Sequence, residues 1–310
     1  MQRNARLWQG FWQLADPKIW IASTVPMLVG SALAYGLTGA FSLYWFAAAL
    51  LGIYLIEIGK NAVNEVVDYQ SGVDRFVTPE ERTPFSGGKK TIVDGLLTVS
   101  EARVIGITTL GAGALVGLYI AIFREPLILW VGLLGIFFAA FYSLPPLKLS
   151  YRGLGEVVVG ITFGPLITSG AYLVQAHTLS PLVILTSLPI GFLIANVLWI
   201  NQYPDYRADK KGQKLNGVVR LGKKKGVGVF AALFAAAYAS LAVLFWTSGN
   251  PFWLLPFASL GLVLRAVRVA REHYNFLPKQ VEANARTIQT YQLTGAAMVV
   301  AALLSRVTLF

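Results

Sequence analysis

Apolar residues run along this chain in stretches of about twenty, separated by polar connections, and a hydrocarbon core about 30 Å thick needs roughly 20 such residues per helix. Measured this way, the sequence predicts nine membrane spans, at about 18–37, 42–66, 102–122, 126–143, 154–175, 181–203, 226–247, 251–270 and 288–309. The fifth, sixth and eighth carry Pro165, Pro189 and Pro256, which a bundle tolerates where neighbouring helices re-satisfy the freed carbonyls. The expected fold is an all-α membrane protein over 1–310. Its nine transmembrane helices form one bundle with a cytoplasmic-side cavity, capped by two long polar inner loops at 67–101 and 204–225.

Composition agrees. The chain of 310 residues is 55% hydrophobic and 13% charged, about half the charge of an ordinary soluble domain. A net charge of +11 raises the question of nucleic acid, but its distribution answers it. With the N-terminus cytoplasmic, nine spans put 24 of the 26 Lys and Arg on one side, leaving only Arg124 and Arg306 opposite. That is the positive-inside asymmetry of a multi-pass membrane protein, cell inner membrane if bacterial, with lipid as its neighbour and no nucleic-acid partner. Residues 1–16 set Trp8, Phe11, Trp12 and Ala15 on one helical face beside Arg3 and Arg6, as in a helix lying in the headgroup layer. A cleavable signal peptide is disfavoured because the apolar run that follows is too long.

Both long inner loops are entered from helix ends rich in Asn and carboxylates. The second span ends Asn64-Glu65-Val66-Val67-Asp68-Tyr69, with Asp74 beyond Gly72, and the sixth ends Asn201-Gln202-Tyr203-Pro204-Asp205-Tyr206, with Asp209 beyond. The shared Asn-x-x-x-Asp-Tyr pattern recurs 137 residues apart. Residues i and i+4 share a helix face, so Lys60, Asn64 and Asp68 form one stripe, and Asn201, Asp205 and Asp209 another. A carboxylate at a helix C-terminus faces the negative end of the dipole; two such ends on one side of the membrane call for a compensating cation.

The ligands on offer are hard oxygens. There is no Cys, and His177 and His273 stand alone, so zinc and copper are poorly served. Mg²⁺ suits one or two carboxylates plus substrate phosphates. Arg75, Arg82, Lys89, Lys148, Arg152, Lys210 and Lys214 stand nearby in sequence; one by one they are positive-inside residues, and together they suggest a diphosphate clamp closed by metal.

These motifs resemble the UbiA superfamily of intramembrane aromatic prenyltransferases. The resemblance rests on Asn64-Glu65-x-x-Asp68-x5-Asp74 and Asp205-x-x-x-Asp209. It extends to Arg82-Thr83-Pro84-Phe85-Ser86-Gly87-Gly88, Tyr142-Ser143-Leu144-Pro145-Pro146-Leu147-Lys148, Tyr151-Arg152-Gly153-Leu154-Gly155-Glu156 and Lys210-Lys211-Gly212-x-Lys214. The six-residue step from Asp68 to Asp74 and the Tyr-Arg-Gly-Leu-Gly-Glu segment look most like the 1,4-dihydroxy-2-naphthoate polyprenyltransferases of menaquinone synthesis. Glu65 departs from the Asp usual in the family, and Gln202-Tyr203-Pro204 departs from its best-known members.

The resemblance implies Mg²⁺-dependent transfer of a polyprenyl group from an allylic polyprenyl diphosphate to an aromatic acceptor, with loss of the acceptor's carboxylate in the naphthoate branch. Within the superfamily the alternative acceptors are 4-hydroxybenzoate, a chlorin or a glycerol-phosphate lipid. Metal ligands are expected among Asn64, Glu65, Asp68, Asp74, Asn201, Asp205 and Asp209, with Asp68 and Asp205 central to catalysis. Diphosphate contacts are expected from Lys60, Arg75, Arg82, Lys148, Arg152, Lys210 and Lys214. Tyr142, with Asn61 and Tyr69, is the candidate to position the acceptor or to face the cation; a belt tyrosine is the competing reading of Tyr142. Glu57 and Lys60, three residues apart and deeper in the span, either pair or leave Lys60 to reach the diphosphate from below. A cation-coupled transporter is the rival class, but it would put its carboxylates near mid-membrane on inverted repeats, whereas here both acidic helices end on the same side.

Overall fold

The computed structural model describes residues 2–308. Met1, and Leu309 at the end of the ninth expected span, lie outside the described residues. Every long element is helical, as the apolar runs require: α1 Gln2–Ala15, α2 Ile21–Thr38, α3 Leu43–Ser71, α4 Val99–Phe123, α5 Ile128–Phe141, α6 Gly155–Ile161, α7 Ile167–Ala176, α8 Pro181–Lys211, α9 Gly217–Leu221, α10 Lys223–Ser248, α11 Leu260–His273 and α12 Leu277–Thr308. Local chemistry sets several boundaries. Thr98 and Glu101 close a capping box at the start of α4, while Ser180 caps α8 with Pro181 at its first turn. Gly72 ends α3 at φ 85°, a left-handed conformation that a residue with Cβ resists.

Among the described residues eight helices are long and apolar enough to cross a membrane, with α6 and α7 counting as one through a π-turn at Thr162–Leu166 that accommodates Pro165, and Pro251–His273 as another. The protein is an integral, multi-pass membrane protein. The fourth expected span, 126–143, is the 14-residue α5, about 21 Å long at 1.5 Å per residue. Pro189 sits inside an unbroken α8, and Pro256 falls in the 3-10 stretch Pro251–Ser259 that leads into α11. Three boundaries differ from the sequence reading. α3 continues to Ser71, α8 continues through Pro204 to Lys211, and α12 begins at Leu277 rather than near 288. Polarity had marked the ends of α3 and α8 as loop; the helices persist because Glu65, Asp68, Asp205 and Asp209 are buried against other parts of the chain rather than solvated.

α8 is central, packing against α10, α12 and α6. Its Leu193, Ile200 and Tyr203 join Phe230, Phe234 and Trp253 in the largest core cluster. Gly164 meets the backbone of Gly191, where an added Cβ would come within 2.7 Å of its Cα; small residues let membrane helices approach this closely. Ile107, Leu115, Trp130 and Trp246 point outward, as lipid contact requires. α1 does more than offer an aromatic face. Trp8 and Trp12 are exposed, but Leu14 and Ala15 are buried, and Arg6 reaches Leu96 O and Glu101, while Gln13 holds Lys89 O. The first helix is therefore clasped to the connection between α3 and α4.

Candidate active site

The two acidic helix ends meet. Asp68, on the last turn of α3 and 1% exposed, accepts hydrogen bonds from Tyr151 Oη at 2.6 Å, Lys214 Nζ at 2.7 Å and Asn64 Nδ2 at 3.1 Å. Lys214 follows α8, so this ion pair already bridges the first motif to the second. A second bridge is the Gly87-Gly88 dipeptide. Gly87 N–H donates to Asp205 Oδ2, and a Cβ on Gly88, at φ 70°, would lie 2.3 Å from Asp74 Oδ1. Only glycine lets the loop press between these carboxylates. Lys90 Nζ, donating to Gly87 O at 2.6 Å, adds a buried cation beside them, and Asp209 accepts from Asn216 Nδ2 at 2.7 Å.

Crowding leaves its mark on the charges. Burial, and next the charges of Asp68 and Glu65, push the Asp74 carboxyl up to about 8. Burial works to lower Lys214, but Asp68 and Asp209 overcome it and hold the ammonium well above its ordinary value. Tyr151 is raised as well, by burial and then by Asp68. The cluster is short of positive charge even with Lys214 and Lys90 in place.

Two of its oxygens, Asp74 Oδ2 and Asp205 Oδ1, are buried with no hydrogen-bond partner, and orphaned carboxylate oxygens are what a hard cation satisfies. Among the described residues no three His, Cys, Asp or Glu side chains are grouped to hold one ion. The donor set therefore fits Mg²⁺ shared with a phosphate guest, at one or two carboxylates per ion, rather than a closed protein shell.

Not every expected residue joins the cluster. Glu65 is spent elsewhere: its Oε2 accepts from Lys89 and Lys90 N–H, and its Oε1 from Thr91 Oγ1 and Ile92 N–H, so it latches the cap loop with no acceptor left for metal. Asn201 Oδ1 takes a hydrogen bond from Asn284 of α12. Arg75 folds onto Tyr69, Arg82 pairs with Asp94, and Arg152 donates to Pro146 O; all three heads are turned into local contacts. Asn61 caps Leu14 O at the end of α1. Lys148 stands over the Tyr151 ring, and Lys210 is exposed at the end of α8. Residues the sequence reading gave no role are Tyr151, Lys90, Ser143 (bonded to Asn64 at 3.0 Å) and the two glycines. Tyr151, Ser143 and Gly87-Gly88 lie within the segments that resemble the family, and that is the only signal the sequence holds for them.

Beneath the cluster a cavity of about 160 Å³ runs among α2 to α7, with walls that are apolar apart from Glu57, Lys60, Tyr142 and Thr162. Lys60 Nζ stands 5.7 Å from the Tyr142 ring centroid; Glu57 is not its salt-bridge partner among the described residues. Tyr142 thus lines the cavity instead of standing in a belt, while Asn61 and Tyr69 are committed elsewhere.

Comparison with known proteins gives this arrangement a setting. Residues 23–302 match the model of the UbiA prenyltransferase family. The chain is 31% identical over 277 residues to the 1,4-dihydroxy-2-naphthoate octaprenyltransferase of Escherichia coli (84% of this chain, 87% of that one). It is 30% identical over 270 residues to the 2-carboxy-1,4-naphthoquinone phytyltransferase of Synechocystis (86% and 83%). In fold it is similar to a UbiA homolog from Archaeoglobus fulgidus bound to GPP and Mg²⁺, with a TM-score of 0.68 at 17% identity, covering 96% of this chain and 99% of that one. Eight membrane-length helices among the described residues, two acidic helix ends closed over an apolar cavity and a family match along nearly the whole chain agree, and the protein belongs to the UbiA prenyltransferase family and is a prenyltransferase.

Proposed function

We propose that the enzyme transfers a polyprenyl group from its diphosphate to 1,4-dihydroxy-2-naphthoate, the acceptor named for its E. coli relative, as a step of menaquinone synthesis. The observation that carries the reading is the junction of Asp74, Asp205 and the Asp68–Lys214 pair around Gly87-Gly88, directly above an apolar cavity. The diphosphate sits at this junction, where Lys214, Lys148 and Lys210 supply fixed positive charge. Asp68, Asp74, Asp205 and Asp209, with Asn64 orienting Asp68, would hold Mg²⁺ with it, and the ion would supply charge neutralisation for the leaving group. The prenyl tail lies in the cavity, whose walls keep water from an allylic cation. In this reading the site end faces the cytoplasm, which its Lys- and Arg-rich loops support, and α5 makes a ninth crossing, its 14 residues accommodated by local thinning of the bilayer.

The test is an assay of purified protein with a labelled polyprenyl diphosphate against dihydroxynaphthoate and 4-hydroxybenzoate. We expect prenylated naphthoate as product, and a loss of at least about 100-fold in excess chelator. No product with either acceptor, or undiminished turnover in chelator, overturns the proposal.

The cavity makes a separate prediction about donor length. Gly117 and Gly132 lie in its wall, and a Cβ on either meets nothing within 4 Å. Gly132→Phe should fill that space and lower kcat/KM for long donors relative to short ones by about 10-fold or more, read from competition between two prenyl diphosphates. Equal losses for both lengths would place the tail elsewhere.

A further inference from the structure

Glu57 has no part in the mechanism described so far. It is 6% exposed, lies within the span of α3 and is the only carboxylate in the cavity wall among the described residues. Its Oε2 is buried without a hydrogen-bond partner. A carboxylate in that position is expensive and marks function more often than structure. Other buried carboxylates have duties already: Asp68 with Tyr151 and Lys214, Asp209 with Asn216, Glu65 with the loop 82–95, and Glu156 with Gln202 and Gly217 N–H, while the unpartnered oxygens of Asp74 and Asp205 lie at the cation and diphosphate junction. Along α3, Glu57, Lys60, Asn64 and Asp68 share one face, so Glu57 lies about 16 Å below Asp68 along the helix axis, with Lys60 and Tyr142 between. An aromatic ring placed there would have the acidic cluster above it and Glu57 at its edge.

We infer that Glu57 is the proton acceptor for the acceptor's ring hydroxyl, a catalytic residue distinct from the diphosphate site. The inference rests on the hydroxynaphthoate acceptor proposed above. The step balances without water. The hydroxyl O–H bond breaks and its proton passes to Glu57; the freed pair moves through the ring, and the ring carbon bearing the carboxylate bonds to prenyl C1. The C1–O bond breaks and the diphosphate leaves with that pair. Loss of carbon dioxide from the same ring carbon returns its bonding pair to the ring, and the resulting phenolate recovers the proton from Glu57. A base that lends a proton and receives it back needs no path to solvent, which suits a group sealed in an apolar wall.

Glu57→Gln keeps the shape and removes the base. Its kcat with dihydroxynaphthoate should fall at least about 100-fold, with KM for the prenyl diphosphate unchanged and Glu57→Asp retaining part of the rate. A ring-fluorinated acceptor, whose hydroxyl ionises more readily, should recover much of the loss. Glu57→Gln/Lys60→Met should stay slow; recovery there would make Glu57 merely the counter-charge of Lys60 and overturn the inference. So would a Glu57→Gln rate within about twofold of wild type, which would leave the proton to the diphosphate oxygens. Absence of turnover by the wild-type enzyme with this acceptor would instead remove the acceptor assignment.

Discussion

Asp68→Asn should reduce turnover by about 10²–10³-fold, some 2.7–4 kcal/mol of transition-state stabilisation, while the protein remains folded in detergent. Asp68 is the group on which three donors converge from three parts of the chain: Asn64 of α3, Tyr151 of the α5–α6 connection and Lys214 beyond α8. Asparagine fills the same volume, so packing of the α3 end survives. What is lost is the negative charge, and with it an oxygen able to share a cation with the substrate's phosphates. Lys214, 15% exposed, would be left without its partner, and stranding a buried charge is destabilising by about 3–5 kcal/mol. Asp209, which also raises Lys214, softens that cost. The double variant Asp68→Asn/Lys214→Met separates the two effects: removing both charges should restore thermal stability but not turnover. If Asp68→Asn turned over at the wild-type rate, or the double variant recovered it, Asp68 would be a structural partner of Lys214 and the ligand assignment would fail.

The all-helical membrane class was legible because each membrane helix must be apolar for about twenty residues, a signal that does not depend on tertiary contacts. The pairing of the acidic motifs was legible too, since Asn64/Asp68 and Asn201/Asp205 repeat one spacing on two helix ends. What the sequence could not supply was direction. Arg75, Arg82 and Arg152 have the right charge in the right loops, yet each guanidinium is turned onto a carbonyl, a ring or Asp94 by the local fold. Asn201 differs from Asn64 only in what packs against it, α12 in one case and Ser143 in the other. The last turns of α3 and α8 are hidden in the sequence for the same reason: polar side chains buried against other parts of the chain read the same as polar side chains in water. Gly87-Gly88 illustrates the reverse case, a loop dipeptide with no side-chain chemistry whose value lies in letting two carboxylates approach.

Glu65 carries the second large effect, and it acts through the loop. Its four acceptor contacts gather the backbone N–H of Lys89, Lys90 and Ile92 and the hydroxyl of Thr91 onto the end of α3. Two residues upstream, the same strand of loop presents Gly87 to Asp205 and Gly88 to Asp74. Glu65→Gln replaces one acceptor oxygen by a donor amide, so at least one pair of donors loses its partner, at about 1.5–3 kcal/mol for each hydrogen bond to a charged group. The loop 82–95 is also held by Gln13 of α1, which donates to Lys89 O, and by Asp16 just beyond it, which accepts from Lys89 Nζ, so the result should be local opening rather than global unfolding. We expect faster tryptic cleavage at Arg82, Lys89 and Lys90, a melting temperature close to wild type, and kcat lowered about 100-fold or more because Gly87-Gly88 no longer holds the two motifs together. A metal ligand would behave differently. Its loss would raise the Mg²⁺ concentration needed for half-maximal rate and leave the loop's protease resistance intact, so the two measurements together decide which role Glu65 plays.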